Sequence, residues 1–156
     1  MGFSEALTYL PTTHAHYKLL LARHLRHIRR MVELQQPDGS WLQLLDHPGS
    51  YHEMSATCMT GYALARGIRG GWLPQDEFLA ATKLAWQAAS HRIDEAAGLV
   101  DVCAGTGPQR GEHNTAHAYI NRPAVSGFDD RGGSMALWFA VEMAMLCAGS
   151  PLERRF

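Results

Sequence analysis

The densest group of chemically capable side chains lies in residues 38–55, a loop that leads into an apolar helix. It supplies an indole at Trp41, an imidazole at His52, a carboxylate at Glu53 and a hydroxyl at Ser55. Aromatic rings stack on sugar faces, and helix N-termini hold anions, so this loop predicts a ligand site. The alternative interpretation is structural: Glu53 and Ser55 cap the helix, and Trp41 packs in the core.

A second stretch, residues 102–107, places Cys103 and Thr106 in a glycine-containing turn. No Gly-Lys-Ser/Thr follows it, so it is not a phosphate-binding loop, and we expect it to position Thr106 and nearby backbone. A glycosidase needs two carboxylates flanking the scissile bond. The candidates for such a pair, between which the sequence gives no distance, are Asp46, Glu53, Asp101, Asp129 and Asp130.

The nine histidines do not form a metal motif. His14 and His16 are two residues apart and His24 and His27 three apart, without the HExxH arrangement of a catalytic zinc site. We therefore predict no metal. The basic run over residues 23–30 has no interleaved aromatic residues and is most simply the solvated face of a helix.

Two kinds of helix alternate around these segments. Residues 13–36 and 74–93 carry their apolar side chains on one stripe, which predicts amphipathic helices. Residues 55–68 and 133–147 are apolar or small around nearly the whole circumference, which predicts helices buried on all sides, and residues 3–10 form a further inner helix. The alternation favours an all-α toroid or solenoid of about two and a half hairpins, with a brief strand at 99–103.

The composition is that of one soluble domain, residues 1–156. The formal net charge is -1 and 46% of residues are hydrophobic, so no global field favours nucleic acid, and no apolar run approaches a membrane span. Three cysteines in an odd, widely spaced set, Cys58, Cys103 and Cys147, predict reduced and mostly buried thiols of a cytoplasmic protein.

Several motifs together resemble a known enzyme group. Residues 36–48 (QPDGSWLQLLDHP) and 51–59 (YHEMSATCM) are similar to the unsaturated glucuronyl and rhamnogalacturonyl hydrolases, the six-hairpin glycosidases of glycoside hydrolase families 88 and 105. The likeness continues through residues 62–67, 71–73, 102–107 and 130–135 to Glu142, in order along essentially the whole chain. The resemblance implies an incomplete (α/α)6 toroid.

The same resemblance implies an activity. Members of the group remove the 4,5-unsaturated uronic acid from oligosaccharides made by polysaccharide lyases, by hydrating the double bond with an aspartate as proton donor and without metal or organic cofactor. The candidate pocket-wall residues, which would contact this oligosaccharide, are Trp41, His52, Glu53, Ser55, Cys103 and Thr106.

One departure limits that expectation. In the group a Trp-Gly-Arg-Gly-Asn-Gly-Trp-like stretch leads into the helix matched here by residues 2–11, and the catalytic aspartate lies further upstream, so no residue of this chain matches it. We therefore expect this chain to correspond to the C-terminal half of such an enzyme and to be inactive without the N-terminal half. The alternative is a non-catalytic helical protein that pairs with a partner or with a second copy.

Overall fold

The computed structural model describes residues 1–93, 95, 99–105, 111, 114–127 and 130–152. These residues form an all-α fold in which short strands connect the helices. The helices are α1 (Gly2–Tyr9), α2 (Tyr17–Glu33), α3 (Met54–Arg69), α4 (Gln75–Ser90), α5 (Ala116–Ile120) and α6 (Asp130–Cys147). The strands are β1 (Trp41–Leu42), β2 (His52–Glu53), β3 (Leu99–Val102) and β4 (Val125–Gly127).

Helix α3 is the centre of the fold. It contacts α1, α4 and α6, and most of its residues are buried, as its mostly apolar and small sequence predicts. Gly61 allows the close approach of α6, because a Cβ at this position would lie 2.3 Å from Cζ of Phe139. The prediction of a helix buried on all sides is confirmed for α3.

A buried ion cluster joins the three inner helices near the C-terminal end of α3. Glu142 of α6 accepts hydrogen bonds from Arg66 (2.6 Å) and Arg69 (2.5 Å), both on α3. Glu5 of α1 lies 3.1 Å from Nε of Arg66 and accepts a hydrogen bond from Tyr62. Charges removed from water need partners of opposite sign, so this cluster fixes how α1, α3 and α6 sit together.

The outer helices are amphipathic, as predicted. The buried face of α2 consists of Tyr17, His24 and Ile28, and that of α4 includes Phe78 and Ala85. Helix α2 is shorter than the predicted range 13–36.

Two antiparallel strand pairs connect the helices. Strands β1 and β2 pair Trp41 with Glu53, and β3 and β4 pair Leu99 with Gly127. The predicted strand at 99–103 is thereby confirmed. Strands β1, β2 and β4 and the five-residue α5 were not predicted, since elements of two to five residues have too few positions to display a period.

The prediction that α6 is buried on all sides is wrong. Four large apolar side chains on this helix are exposed by 43–63%: Leu137, Trp138, Val141 and Met145.

The cysteines differ in burial. Cys147 is exposed, so the prediction of buried thiols holds for Cys58 but not for Cys147. Burial raises the pKa of the Cys58 thiol to about 12, which keeps it protonated. Within the described residues, no helix combines the length and the apolarity that a bilayer span requires.

His24 is an unusual core residue. Its side chain is 1% exposed, and neither ring nitrogen has a hydrogen-bond partner in the described part of the chain. The ring stacks on Phe3 at 5.6 Å and borders a cavity of about 70 Å³. Desolvation, with smaller effects of the N-terminal amine and His27, lowers the pKa of His24 to about 4.

The lowered pKa of His24 predicts acid sensitivity. Because folding favours the neutral ring, its contribution to stability is complete above the unfolded pKa near 6.5 and is lost as the pH falls towards 4, a change of about 3 kcal/mol. We expect His24→Phe to unfold with a weaker pH dependence across this window, as measured by urea unfolding. Substitution of the exposed ring in His14→Phe serves as control, and an unchanged pH dependence in His24→Phe contradicts this prediction.

Candidate functional site

The N-terminus of α3 is organised by the carboxylate of Glu53. This side chain accepts hydrogen bonds from the backbone N–H groups of Ser55 (3.0 Å) and Ala56 (2.5 Å). The hydroxyl of Ser55 lies within hydrogen-bond distance of both carboxylate oxygens and donates its one proton to them. The backbone N–H of Cys103, beyond β3, donates to Oε1 at 2.9 Å. A buried carboxylate with this many donors is a stable N-cap that also holds the Cys103 loop against the helix.

Trp41 lies beneath this end of the helix. Its side chain is fully buried, and its indole N–H donates to the carbonyl of Met31 on α2 at 2.7 Å. Its backbone N–H donates to Thr57, whose hydroxyl in turn donates to the carbonyl of Glu53. The structure agrees with the structural interpretation of the sequence, in which Trp41 is a core residue and Glu53 is a cap.

His52 is anchored through one ring nitrogen. Its Nδ1 lies 2.5 Å from the hydroxyl oxygen of Ser40 and 3.1 Å from Oδ2 of Asp38. A Ser-His-Asp nucleophile requires serine and aspartate on opposite ring nitrogens, so this group is not a catalytic triad. Its geometry instead fixes the orientation of the imidazole and leaves Nε2 without a partner in the described part of the chain.

A salt-bridge network extends from His52 to β3. Arg92 lies 3.3 Å from Asp38 and also pairs with Asp101, which has a φ of 61°. Burial alone would raise the pKa of Asp38, but hydrogen bonds from Ser40 and the charges of His52 and Arg92 outweigh it and lower that pKa. Asp38 is therefore an ionised anchor near neutral pH and not a proton donor.

The Cys103 loop adds further polar groups. Burial is the main cause that raises the pKa of Tyr51, and a hydrogen bond with the Cys103 thiol raises it further, so the phenol stays protonated. Arg122, which follows α5, donates to the carbonyl of Gly105 at 2.5 Å. Thr106 lies outside the described residues.

Contacts join three of the six predicted pocket residues at the start of α3: Glu53, Ser55 and the backbone of Cys103. His52 precedes them in β2, and its side chain contacts Ser40 and Asp38. Trp41 lies in the core below this end of α3. Among the predicted carboxylates, Asp46 is exposed in the loop after β1, and Asp129 and the side chain of Asp130 lie outside the described part.

Sequence reasoning did not single out Asp38, Arg92 or Arg122. Asp38 lay in a turn typical of an ordinary helix stop, and Arg92 at the end of an amphipathic helix. Arg122 is 17 residues from its partner Gly105. Their roles depend on contacts between distant segments, for which a single sequence has no signal.

The sequence model described as Glycosyl Hydrolase Family 88 matches residues 1–147. The chain belongs to glycosyl hydrolase family 88. It is 33% identical to Protein Atu3128 of Agrobacterium fabrum over 95% of this chain and 69% of that protein. A crystal structure from Salmonella enterica, described as a possible member of family GH105, is similar over 94% of this chain, with a TM-score of 0.78 and 25% identity. A structure from Klebsiella pneumoniae with the same description matches over 89% of this chain, with a TM-score of 0.76 and 26% identity.

These matches confirm that the family 88 chain has the helical-toroid fold of the six-hairpin glycosidases. The chain spans only 36% of the Salmonella structure and 34% of the Klebsiella structure. It therefore corresponds to part of the toroid, in agreement with the predicted two and a half hairpins.

Replacing Glu53 tests its capping role in this family 88 chain. The amide of Glu53→Gln presents two N–H donors where the carboxylate accepts, so we expect a loss of about 1–3 kcal/mol in the free energy of unfolding. Hydrogen exchange of the Cys103 amide should also become faster.

The matched control is Asp76→Asn, which removes a carboxylate from the exposed first turn of α4 and should cost less than about 1 kcal/mol. Unchanged exchange at Cys103 in Glu53→Gln contradicts the role of Glu53 in holding this loop.

Proposed function

We propose that the chain forms part of the sugar pocket of an unsaturated uronyl hydrolase of the cytoplasm. Such an enzyme removes the 4,5-unsaturated uronic acid from lyase-generated oligosaccharides by hydrating the double bond. The observation that carries the proposal is that Glu53 joins the start of α3 to the Cys103 loop, directly after the anchored and partly exposed His52, in a chain of family 88. Thr106, two residues after Ala104 in the same loop, belongs to the proposed pocket wall.

His52 is the side chain best placed to contact the sugar. Its Nδ1 is held by Ser40 and Asp38, and its side chain is 39% exposed. An imidazole fixed through one nitrogen presents the other in a defined direction, at little further cost in side-chain entropy. We assign Nε2 of His52 to a hydrogen bond with a sugar hydroxyl.

Arg122 supplies a positive charge for the uronate. Its described hydrogen bond is to a backbone carbonyl, that of Gly105, so no described carboxylate neutralises it. An unsaturated uronic acid carries a carboxylate beside its double bond, and a guanidinium matches carboxylate geometry with two parallel N–H donors. We assign Arg122 to this carboxylate.

The proton donor is proposed to lie outside this chain. Glu53 is occupied by backbone and hydroxyl donors, while Asp38 and Asp101 pair with Arg92. No described carboxylate at this end of α3 is thus free to protonate a substrate. The family's aspartate has no match among these residues, so we propose that a residue outside this sequence provides the proton.

Binding of an unsaturated digalacturonate tests the proposed pocket. We expect His52→Ala to weaken binding about tenfold in isothermal titration, the effect of losing one hydrogen bond from a preorganised group. His47→Ala changes an exposed histidine of the same loop and should bind as the unmodified chain does. Equal affinities of the two variants contradict the assignment of His52.

The same disaccharide tests the incompleteness of the chain. Without a proton donor, we expect the alkene absorbance to persist when the disaccharide is incubated with the isolated chain. Disappearance of this absorbance with release of the sugar would show that the chain is a complete hydrolase.

A second candidate function is non-catalytic pairing. The four exposed apolar side chains of α6, Leu137, Trp138, Val141 and Met145, recur at helical spacing on one face. Contiguous apolar surface of this kind marks interaction sites. The chain would then cover α6 with a partner or with a second copy of itself.

Light scattering of the purified chain tests whether it pairs with a second copy of itself. Self-pairing predicts the mass of a dimer, and Leu137→Gln combined with Val141→Gln should restore the monomer. A stable, folded monomer at high concentration contradicts self-pairing.

A further inference from the structure

The outer face of α2 carries an unusual concentration of positive charge. Five of the fourteen lysine and arginine residues of the chain lie within residues 18–30: Lys18, Arg23, Arg26, Arg29 and Arg30. The rest of the chain is acidic. When Glu33 of α2 and Glu77, which pairs with α2, are left out, it contains thirteen aspartate and glutamate residues and nine lysine and arginine residues. More than a third of the cations therefore lie on one face of one helix in a nearly neutral molecule.

This surface points away from the helical core. The buried residues of α2, Tyr17, His24 and Ile28, lie on one side of the helix, and the arginines lie on the opposite side. In a two-layer toroid the side of an outer helix opposite its buried face is directed outward. All five cations of the basic face are exposed in the structure.

Part of this charge is available to a ligand. Arg29 pairs with Glu77 at 2.7 Å and Arg30 with Glu33 at 2.8 Å. Arg23 and Arg26 have no ion-pair partner within the described part of the chain. They line an open depression of about 1080 Å³, together with Phe3 of α1 and with Glu33, whose carboxylate is paired with Arg30.

We propose that this basic face binds the carboxylates of an acidic polysaccharide, apart from the pocket at α3. The choice of ligand rests on the proposed function, whose substrates are fragments of uronate polymers. The face has no row of exposed aromatic rings, on which single-stranded nucleic acid would stack. The apolar side of α2 is buried in the core, which leaves no apolar face for insertion into a membrane.

The exposed Leu19 and Ala22 lie among the cations and offer apolar contact to the C–H groups of the sugar rings. Arg23 and Arg26 would provide the charge-assisted hydrogen bonds, and the charge of the whole face would attract the polymer over a Debye length of about 10 Å at 0.1 M salt. Binding should therefore weaken as the salt concentration rises.

The test uses a saturated oligogalacturonate, which lacks the unsaturated end that the α3 pocket requires, and its fully methyl-esterified form as an uncharged control. In isothermal titration at low salt we expect binding of the charged oligomer only. Arg26→Gln should weaken it about threefold, and Arg23→Gln with Arg26→Gln about tenfold, as expected for exposed ion pairs. Lys83→Gln, which removes an exposed positive charge from α4, should leave it unchanged.

Three results would overturn the proposal: equal binding of the methyl ester, unchanged binding by the double variant, or tighter binding of duplex DNA of equal charge. The double variant should still bind the unsaturated digalacturonate as the unmodified chain does. Failure at α2 and failure at the α3 pocket are therefore distinguishable.

Discussion

The fold depends on burying one helix on all sides. Helix α3 can do so because its side chains are small or apolar, but its polar ends must be satisfied without water. Glu53 accepts hydrogen bonds from the free N–H groups at one end, and near the other end Arg66 and Arg69 both form ion pairs with the buried Glu142. The candidate site lies at the first of these ends, because the cap also binds the loop that carries Cys103.

The residues near this end of α3 have two kinds of role, structural support and contact with a ligand. Glu53 is too fully engaged to act on a substrate, so it holds the helix and the loop in place. Asp38 and Ser40 orient His52, and the hydrogen bonds from Ser40, with the charges of His52 and Arg92, lower the pKa of Asp38 and keep it ionised. The groups left with free donors, His52 and Arg122, are then the ones that face a ligand in the proposed pocket.

Local patterns predicted most of the fold, because helix periodicity depends on neighbours within a few turns. The long helices and the brief strand at 99–103 followed from such patterns, and the residues of the α3 end from their types and the family resemblance. The anchoring of His52 by Asp38 and the bond from Arg122 to Gly105 join segments that are distant in sequence, so they were not predictable. That α6 is the exposed helix was not predicted, since composition indicates that an apolar helix needs covering but does not specify which residues cover it.

The claim that a sugar binds at the N-terminal end of α3 is tested most directly by mapping amide chemical shifts of the labelled chain during titration with unsaturated digalacturonate. The account predicts that the largest shifts fall on His52, Ser55 and Cys103 and on the loop that continues to Thr106. Shifts confined to α2 or α6, or none at saturating disaccharide, would contradict it.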